Sequence, residues 1–369
     1  LRALGQLKDA GALLARAAEE ATALERPDLR AAALIALANV DAKQGRAADA
    51  KRRLAEAASL AETAGDPVLR VRAAFESAAV RAHFEGAVDM AIEELQTALK
   101  AAAQMEDRAL LAEGHLRVGT LLFNDGQLAE AAEELGRCIE VAAGSGSRRD
   151  EARASSLLGF VNYYRGSLDE AERLGLDAMQ WFERTGDTFF QLQNLRKLAL
   201  YALARHDPQL AEKRLLEALP IAFETGGWIV TELYRLLTDT LLRQGHIDGA
   251  REMAALARSS QPEEDVYATA AVALTDASIA AAEGDRETVL VRFRAGIALL
   301  DEQRLEVDLG EARIAFGRAL RDLGQVEVAR AQLIRARETF TAMGAAGIVA
   351  DIDRELSETK RGPAAPAPF

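Results

Sequence analysis

The side chains able to do chemistry in this chain are few and scattered. Four of its 369 residues are histidine (His83, His115, His206 and His246), and no two stand at the spacing by which one helix or hairpin offers a pair of imidazoles to a metal ion. The single cysteine, Cys138, has no partner for an internal disulfide and leaves no basis for a thiolate metal site. It follows Ala131 by seven residues, where other stretches carry Ala57, Ala98 and Ala178, so it reads as a small core residue rather than a nucleophile. Carboxylate pairs occur at Glu19-Glu20, Glu93-Glu94, Glu133-Glu134 and Glu263-Glu264, beside Lys or Arg on polar helix faces, as on a solvated surface. There is no G-x-x-x-x-G-K-[ST] to cradle a phosphate, no G-x-S-x-G elbow and no H-E-x-x-H. The expectation is a protein with no catalytic residue, no metal and no cofactor: not an enzyme.

Charge and hydropathy narrow the partners. With 58 acidic against 45 basic residues the net charge is −13, a field that opposes direct nucleic-acid binding. No apolar run approaches the roughly 20 residues of a spanning helix, and the start does not read as a signal peptide. A cytoplasmic location without membrane contact is expected. The chain opens at Leu1-Arg-Ala-Leu-Gly5 already inside the pattern described next, and reads as a piece of something longer.

What must position any site is a repeat. Gly166-Ser-Leu-Asp-Glu-Ala171 returns as Gly5…Ala10, Gly45…Ala50, Gly86…Ala91, Gly126…Ala131, Gly245…Ala250 and Gly324…Ala329, with degraded copies at His206…Ala211 and Gly284…Val289. The small residue thus recurs in steps of 39 to 41 from residue 10 to residue 329. A fixed period of this size marks stacked units, which escape the size limit of a single core because each buries its surface against its neighbours. Around Gly166, Ala154, Leu157, Leu158, Val161 and Tyr164 on one side and Leu168, Ala171, Leu174, Ala178 and Phe182 on the other are spaced as apolar faces of two helices, A and B. Glycine ends helix A in the left-handed region, and Ser167 with Glu170 forms a capping box that starts helix B. Arg26-Pro27, Asp66-Pro67, Glu106-Asp107, Gly144-Ser-Gly-Ser147, Gly186-Asp187, Gly226-Gly227 and Gln261-Pro262 mark the links from B to the next A. No link is long enough for a domain boundary, so one array is expected over residues 1–357 with its first repeat truncated. Residues 358–369, rich in Pro and Ala, read as a disordered tail or linker.

The pattern resembles the tetratricopeptide repeat. Gly119, Gly159 and Gly317, with Ala38, Ala79, Ala199 and Ala277, stand where helix A must be thin; Ala17, Ala57, Ala98, Ala178, Ala218, Ala257 and Ala336 hold the second small position of helix B. Leu14, Leu54, Leu95, Leu135, Leu215, Phe293 and Leu333 fill the gaps between. The resemblance implies an all-α fold, a right-handed α-α solenoid of about nine helix-turn-helix units of 40 residues. The last unit, from Ala336-Arg337-Glu-Thr-Phe340 to Arg354-Glu355-Leu356, is similar to the end of the helical sensor arrays of bacterial signal-transduction ATPases with numerous domains.

In such arrays the A helices line a groove, and its inward positions fall thirteen, ten, six, three and two residues before the turn glycine. The groove-facing candidates in the central units are Phe123, Asn124, Arg153, Phe160, Tyr163, Tyr164, Gln193, Arg196, Glu232, Arg235 and Asp239. Aromatic rings, amides and guanidinium groups together suit an extended peptide or protein terminus. Arg196 and Arg235 are expected on a solvated wall, removable without harm to the fold. The eighth unit, alanine-rich on every face, is expected to offer little to grip. The resulting expectation is a non-catalytic domain that binds a protein or peptide in its groove, as the sensing or regulatory part of a larger bacterial signalling protein. A constitutive scaffold, and an α-solenoid enzyme with a site in the same groove, are the alternatives.

If the small residues set how closely the helices approach, Ala171→Leu overpacks the junction and lowers stability by about 1–3 kcal/mol. Chemical denaturation measures it, and an unchanged midpoint would mean that the position is not enclosed.

Overall fold

The structure, a computed structural model, describes residues 7–225, 228–262 and 265–359. Those residues form 18 α-helices and no strand. The first, α1 (Leu7–Ala23), is the B helix of a truncated unit; then A and B helices alternate as α2 (Pro27–Lys43), α3 (Ala47–Thr63), α4 (Pro67–Glu85), α5 (Val88–Gln104), α6 (Arg108–Asn124), α7 (Leu128–Ser145), α8 (Arg148–Arg165), α9 (Leu168–Thr185), α10 (Thr188–Ala204) and α11 (Pro208–Thr225). The series ends with α12 (Trp228–Arg243), α13 (Ile247–Ser259), α14 (Val266–Glu283), α15 (Arg286–Glu302), α16 (Glu306–Asp322), α17 (Val326–Ala342) and α18 (Ala346–Thr359). This is an α-solenoid of tetratricopeptide-like repeats. The expected turn at Gly5, the Gly226-Gly227 link, the Glu263-Glu264 pair and the tail from Lys360 lie outside the described residues; residues 358 and 359 still belong to α18.

The turns explain why the chain folds back every twenty residues. Between A and B helices Gly45, Gly86, Gly126, Gly166, Gly245, Gly284 and Gly324 all take positive φ, and His206 takes φ 59° in the same place. The Asp207 carboxylate accepts the Leu210 N–H at 2.9 Å there, so a cap holds the degraded copy in the common geometry. Links from B to A use Gly65, Gly146, Gly186 and Gly344, or Glu25, Glu106 and Arg304, again at positive φ.

Packing follows the small residues. Ala50, Ala91, Ala131, Ala171, Ala211, Ala250, Val289 and Ala329 are all fully buried, as are Ala57, Cys138, Ala218, Ala257 and Ala336. Two expectations miss by one residue. Ala79 is exposed and Ala78 is buried in its place, because α4 carries one more residue before its turn glycine than the other A helices do. Ala17 is likewise exposed while Ala18 and Ala21 are buried, on the helix with no A partner before it. Facing each thin point stands a large aliphatic side chain: a Cβ built on Gly119 would lie 2.8 Å from Leu135 Cγ, and one on Gly317 2.9 Å from Leu333 Cγ. Burial pushes the Cys138 thiol up to about 12, so it packs as a neutral apolar group.

The helices group into two compact units, Leu1–Val161 with Leu176–Phe190, and Asn162–Gly175 with Gln191–Phe369. In the first, α2, α4 and α6 pack side by side as well as against their B helices; in the second α12, α14 and α16 do the same. Each unit also meets itself. Just under four repeats separate Lys43 from Phe189, yet the ammonium sits 5.1 Å from the ring centroid within the first unit. In the second, the Tyr164 hydroxyl donates to Glu311 Oε1 at 2.8 Å, its ring stacks on Phe340 at 6.1 Å, and the turn at Gly166 abuts Gly347 at the start of α18.

Replacing Gly119 by Ala adds helix propensity but drives a methyl group into Leu135, and the clash outweighs the gain. A net loss of about 1–2 kcal/mol is expected by urea denaturation, partly restored when Leu135→Val is added.

Candidate binding cavity

The second unit holds a half-open cavity of ≈ 830 Å³. Its wall is the sequence template made solid. Thirteen, ten, six and two residues before Gly245 stand Glu232, Arg235, Asp239 and Arg243; the first three of those offsets give Ala271, Leu274 and Ser278 from Gly284, and Glu311, Ile314 and Arg318 from Gly324. All of these except Glu232 line the cavity, with Leu200 and Leu203 of α10, Tyr163 of α8 and Ile348 of α18. Tyr267 and Asp308 join from the first turns of α14 and α16. The eighth unit is therefore part of the wall, its small side chains on α14 making room and Tyr267 adding a ring.

Behind the wall lies an ion network on the A helices. Glu232 is almost wholly buried on α12, a helix with apolar or threonine residues enclosed on every side. Arg235 takes it in a two-point grip, Nε to Oε2 at 2.8 Å and Nη2 to Oε1 at 2.9 Å, and reaches Asp239 at 3.1 Å. Arg196 of α10 stands 3.9 Å from the same carboxylate. Burial works against the Glu232 charge, but the charge and hydrogen bonds of Arg235 override it and hold the carboxyl below its usual range. Two threonine hydroxyls of α12 are satisfied within the helix, Thr238 donating to Tyr234 O at 2.9 Å and Thr240 to Leu236 O at 2.7 Å, while Thr231 pairs with the Ser260 hydroxyl at 3.3 Å. On α16 the wall differs. Burial, and then Asp308 beside it, push the Glu311 carboxyl up to about 7; burial and Glu232 raise Asp308 as well.

Of the eleven residues expected at the groove, Tyr163, Arg235 and Asp239 line this cavity, and Glu232 and Arg196 brace it from behind. Tyr164 is a core residue, 1% exposed, and Gln193 is half-buried on α10 outside the lining. The other four belong to the first unit. There Phe160 is buried with its ring 5.5 Å from that of half-buried Phe123, Asn124 is exposed, and the Arg153 guanidinium lies 4.5 Å above Phe190 and 3.6 Å from Asp150. That unit has its own polar ladder across successive A helices: Asn39 donates to Glu76 at 3.0 Å, and Arg117 donates to Glu76 at 2.7 Å and to Glu113 at 3.0 Å. Sequence reasoning passed over Glu76, Arg117, Tyr267, Asp308 and Glu311. Glu311, Arg318 and Arg321 were within its reach, since the offsets that picked Glu232, Asp239 and Tyr163 land on them in the ninth unit. Tyr267 and Asp308 precede the template, and no periodic signal points to them.

Among the described residues no three His, Cys, Asp or Glu side chains gather as metal ligands, and no helix is long and apolar enough to cross a membrane. No protein-family model matches the chain, nor does the sequence of any curated protein. Solved structures do. The Rap conjugation gene regulator of the plasmid pLS20, in complex with the Phr* peptide, is similar over 97% of this chain and 98% of its own, at 12% identity and a TM-score of 0.58. A Rap protein complexed with Competence and Sporulation Factor is similar over 90% and 98%, at 14% identity and 0.58. A signal-transduction ATPase with numerous domains and a tetratricopeptide repeat sensor, from Pyrococcus horikoshii, aligns over 62% of this chain and 36% of its own, at 16% and 0.49. The fold is that of tetratricopeptide-repeat proteins.

The network overturns the expectation that the two arginines can be removed freely. Arg235→Ala leaves Glu232 buried without its main partner, and a loss of about 3–5 kcal/mol is expected in denaturant unfolding at pH 7. The double variant Glu232→Met with Arg235→Met, which buries no charge, recovers most of that loss.

Proposed function

We propose that this chain is a non-catalytic recognition module that takes up a short peptide, or the extended end of a protein, in the cavity of its second unit, as the sensing part of a larger signalling protein. The observation that carries the reading is the cavity's lining. Carboxylates, guanidinium groups and phenols alternate with leucine and isoleucine around one half-open space. A peptide presents the same mixture, with amide donors and acceptors every few ångströms and apolar side chains between. Tyr163 and Tyr267 offer rigid, amphipathic contact surface of the kind that anchors peptide ligands. Two of the structures similar in fold are Rap proteins solved with the Phr* peptide and with Competence and Sporulation Factor, which supports a peptide ligand for the fold. A ligand that bridges several A helices would favour one curvature over another and pass that preference along the stack, which is the basis for reading the module as a sensor.

The test is retention of an equimolar random pentapeptide pool by the purified chain, read by mass spectrometry. The expected result is a selected, intact subset, bound with a stabilisation that rises with peptide concentration. Leu200→Trp, which fills the cavity from α10, should abolish retention while far-ultraviolet circular dichroism stays unchanged. Retention that survives it would place binding elsewhere, and peptides recovered cleaved would favour the enzymatic alternative.

A further inference from the structure

Helix α11 has two apolar faces. Ala211, Leu215, Ala218 and Ala222 are buried in the stack, as on any B helix. Leu216, Leu219, Pro220 and Phe223 form a second stripe at i, i+3, i+4 and i+7. Leu216 is 50% exposed and Phe223 60%, Pro220 is exposed and Leu219 half-buried.

The other repeats lack this face. Leu216, Pro220 and Phe223 stand five, nine and twelve residues after the small residue Ala211; at those places α5 has Gln96, Lys100 and Ala103, and α17 has Ile334, Glu338 and Thr341. No other B helix is apolar at all three. Pro220 sharpens the contrast. Inside a helix, proline has no N–H for the Leu216 carbonyl, so it stands there against helix propensity, and its exposed ring adds nothing to the core. Stacking of repeats therefore does not account for the stripe, and contiguous apolar side chains on a surface mark a contact.

The pattern also selects what covers it. The spacing of three, one and three residues reads the same from either end, with its centre between Leu219 and Pro220. A second α11 running antiparallel meets it in register: Leu216 lies level with the partner's Phe223, and Leu219 with the partner's Pro220, as in a twofold interface. The charges agree with that direction. Lys213 and Glu224 are eleven residues apart, about three helical turns, so both stand on the flank beside Pro220, one toward each end of the stripe. A twofold axis across the helices keeps that flank on one side and reverses its direction. Each Lys213 then comes within about two residues, or ~3 Å along the axis, of the level of the partner's Glu224. Parallel pairing would set lysine on lysine. Both charges are available: Lys213 is exposed with Glu217 at 4.0 Å, a carboxylate that Arg214 also holds at 3.2 Å, and exposed Glu224 has no ion pair among the described residues.

We propose that α11 is a self-association surface, through which two copies of this chain pair with their α11 helices antiparallel, the apolar stripe at the centre and two ion pairs between Lys213 and Glu224 on its flank. A single pair of helices buries less than the roughly 800 Å² per partner of a standard interface, so the dimer forms and dissociates with concentration. No residue of α11 lines the cavity, and the inference does not depend on what the cavity binds.

The experiment is sedimentation velocity of the full chain over about a hundredfold range of concentration, through which the wild type is expected to pass from one copy to two. Leu216→Ser with Phe223→Ser should move the midpoint upward about tenfold or more, while far-ultraviolet circular dichroism stays unchanged. Lys213→Glu and Glu224→Lys should each weaken pairing on their own, because each sets like charges opposite one another twice. Mixed one to one, those two variants should associate as the wild type does, since every flank contact again joins opposite charges. A wild type that stays a single copy throughout overturns the inference and leaves the stripe to a different protein. A dimer that the stripe variant does not weaken places self-association on another surface, and a mixture no tighter than its components removes the antiparallel pairing; either result overturns the inference as well.

Discussion

The close approach of helices at the small residues governs everything else in this molecule. Ala171 and Ala250 are fully enclosed, and opposite Gly119 and Gly317 the side chains of Leu135 and Leu333 fill the space that a missing Cβ leaves, as close helix packing requires. The rise from one repeat to the next is then set by side-chain size rather than by any long-range contact. The insertion of one residue in α4 illustrates how tolerant this is: the buried small residue moves from the expected Ala79 to Ala78, the turn glycine follows one residue later, and the stack continues.

A stack built from alanine leaves the A helices free to carry polar side chains on their remaining faces. In each unit those side chains form networks: Asn39, Glu76 and Arg117 bond across α2, α4 and α6 in the first, and in the second Arg235 holds Glu232 and Asp239 within α12 with Arg196 of α10 3.9 Å from Glu232. Such networks contribute little net stability compared with an apolar alternative, but they are strongly destabilised when half removed. They fix the relative register of successive A helices, and with it the shape of the space those helices enclose. The second unit adds a closing contact, Tyr164 to Glu311 and Phe340, that brings the start of the unit against its end and turns an open face into a cavity.

On the cavity wall Arg235, Arg318, Arg321 and Arg354 have carboxylate partners, Asp308 and Glu311 take their hydrogen bonds from phenols, and the small residues of α14 leave the space between them.

The period near forty, with glycine at the turns and alanine at the contacts, determined the helices, their pairing and their order, because close packing and chain reversal each restrict residue type strongly enough to be read in one dimension. The same periodicity gave the offsets of the inward positions, and these describe the lining of the second unit from α10 to α16. Which of those residues meet was decided only in three dimensions. Tyr164 carries the spacing of a groove residue and the burial of a core one, and it is the partner of Glu311, 147 residues on, because the repeats curve until the unit touches itself. That curvature is the sum of small rotations at every interface, each set by the detailed fit of side chains. A linear pattern records where the interfaces are, and not how far each one turns.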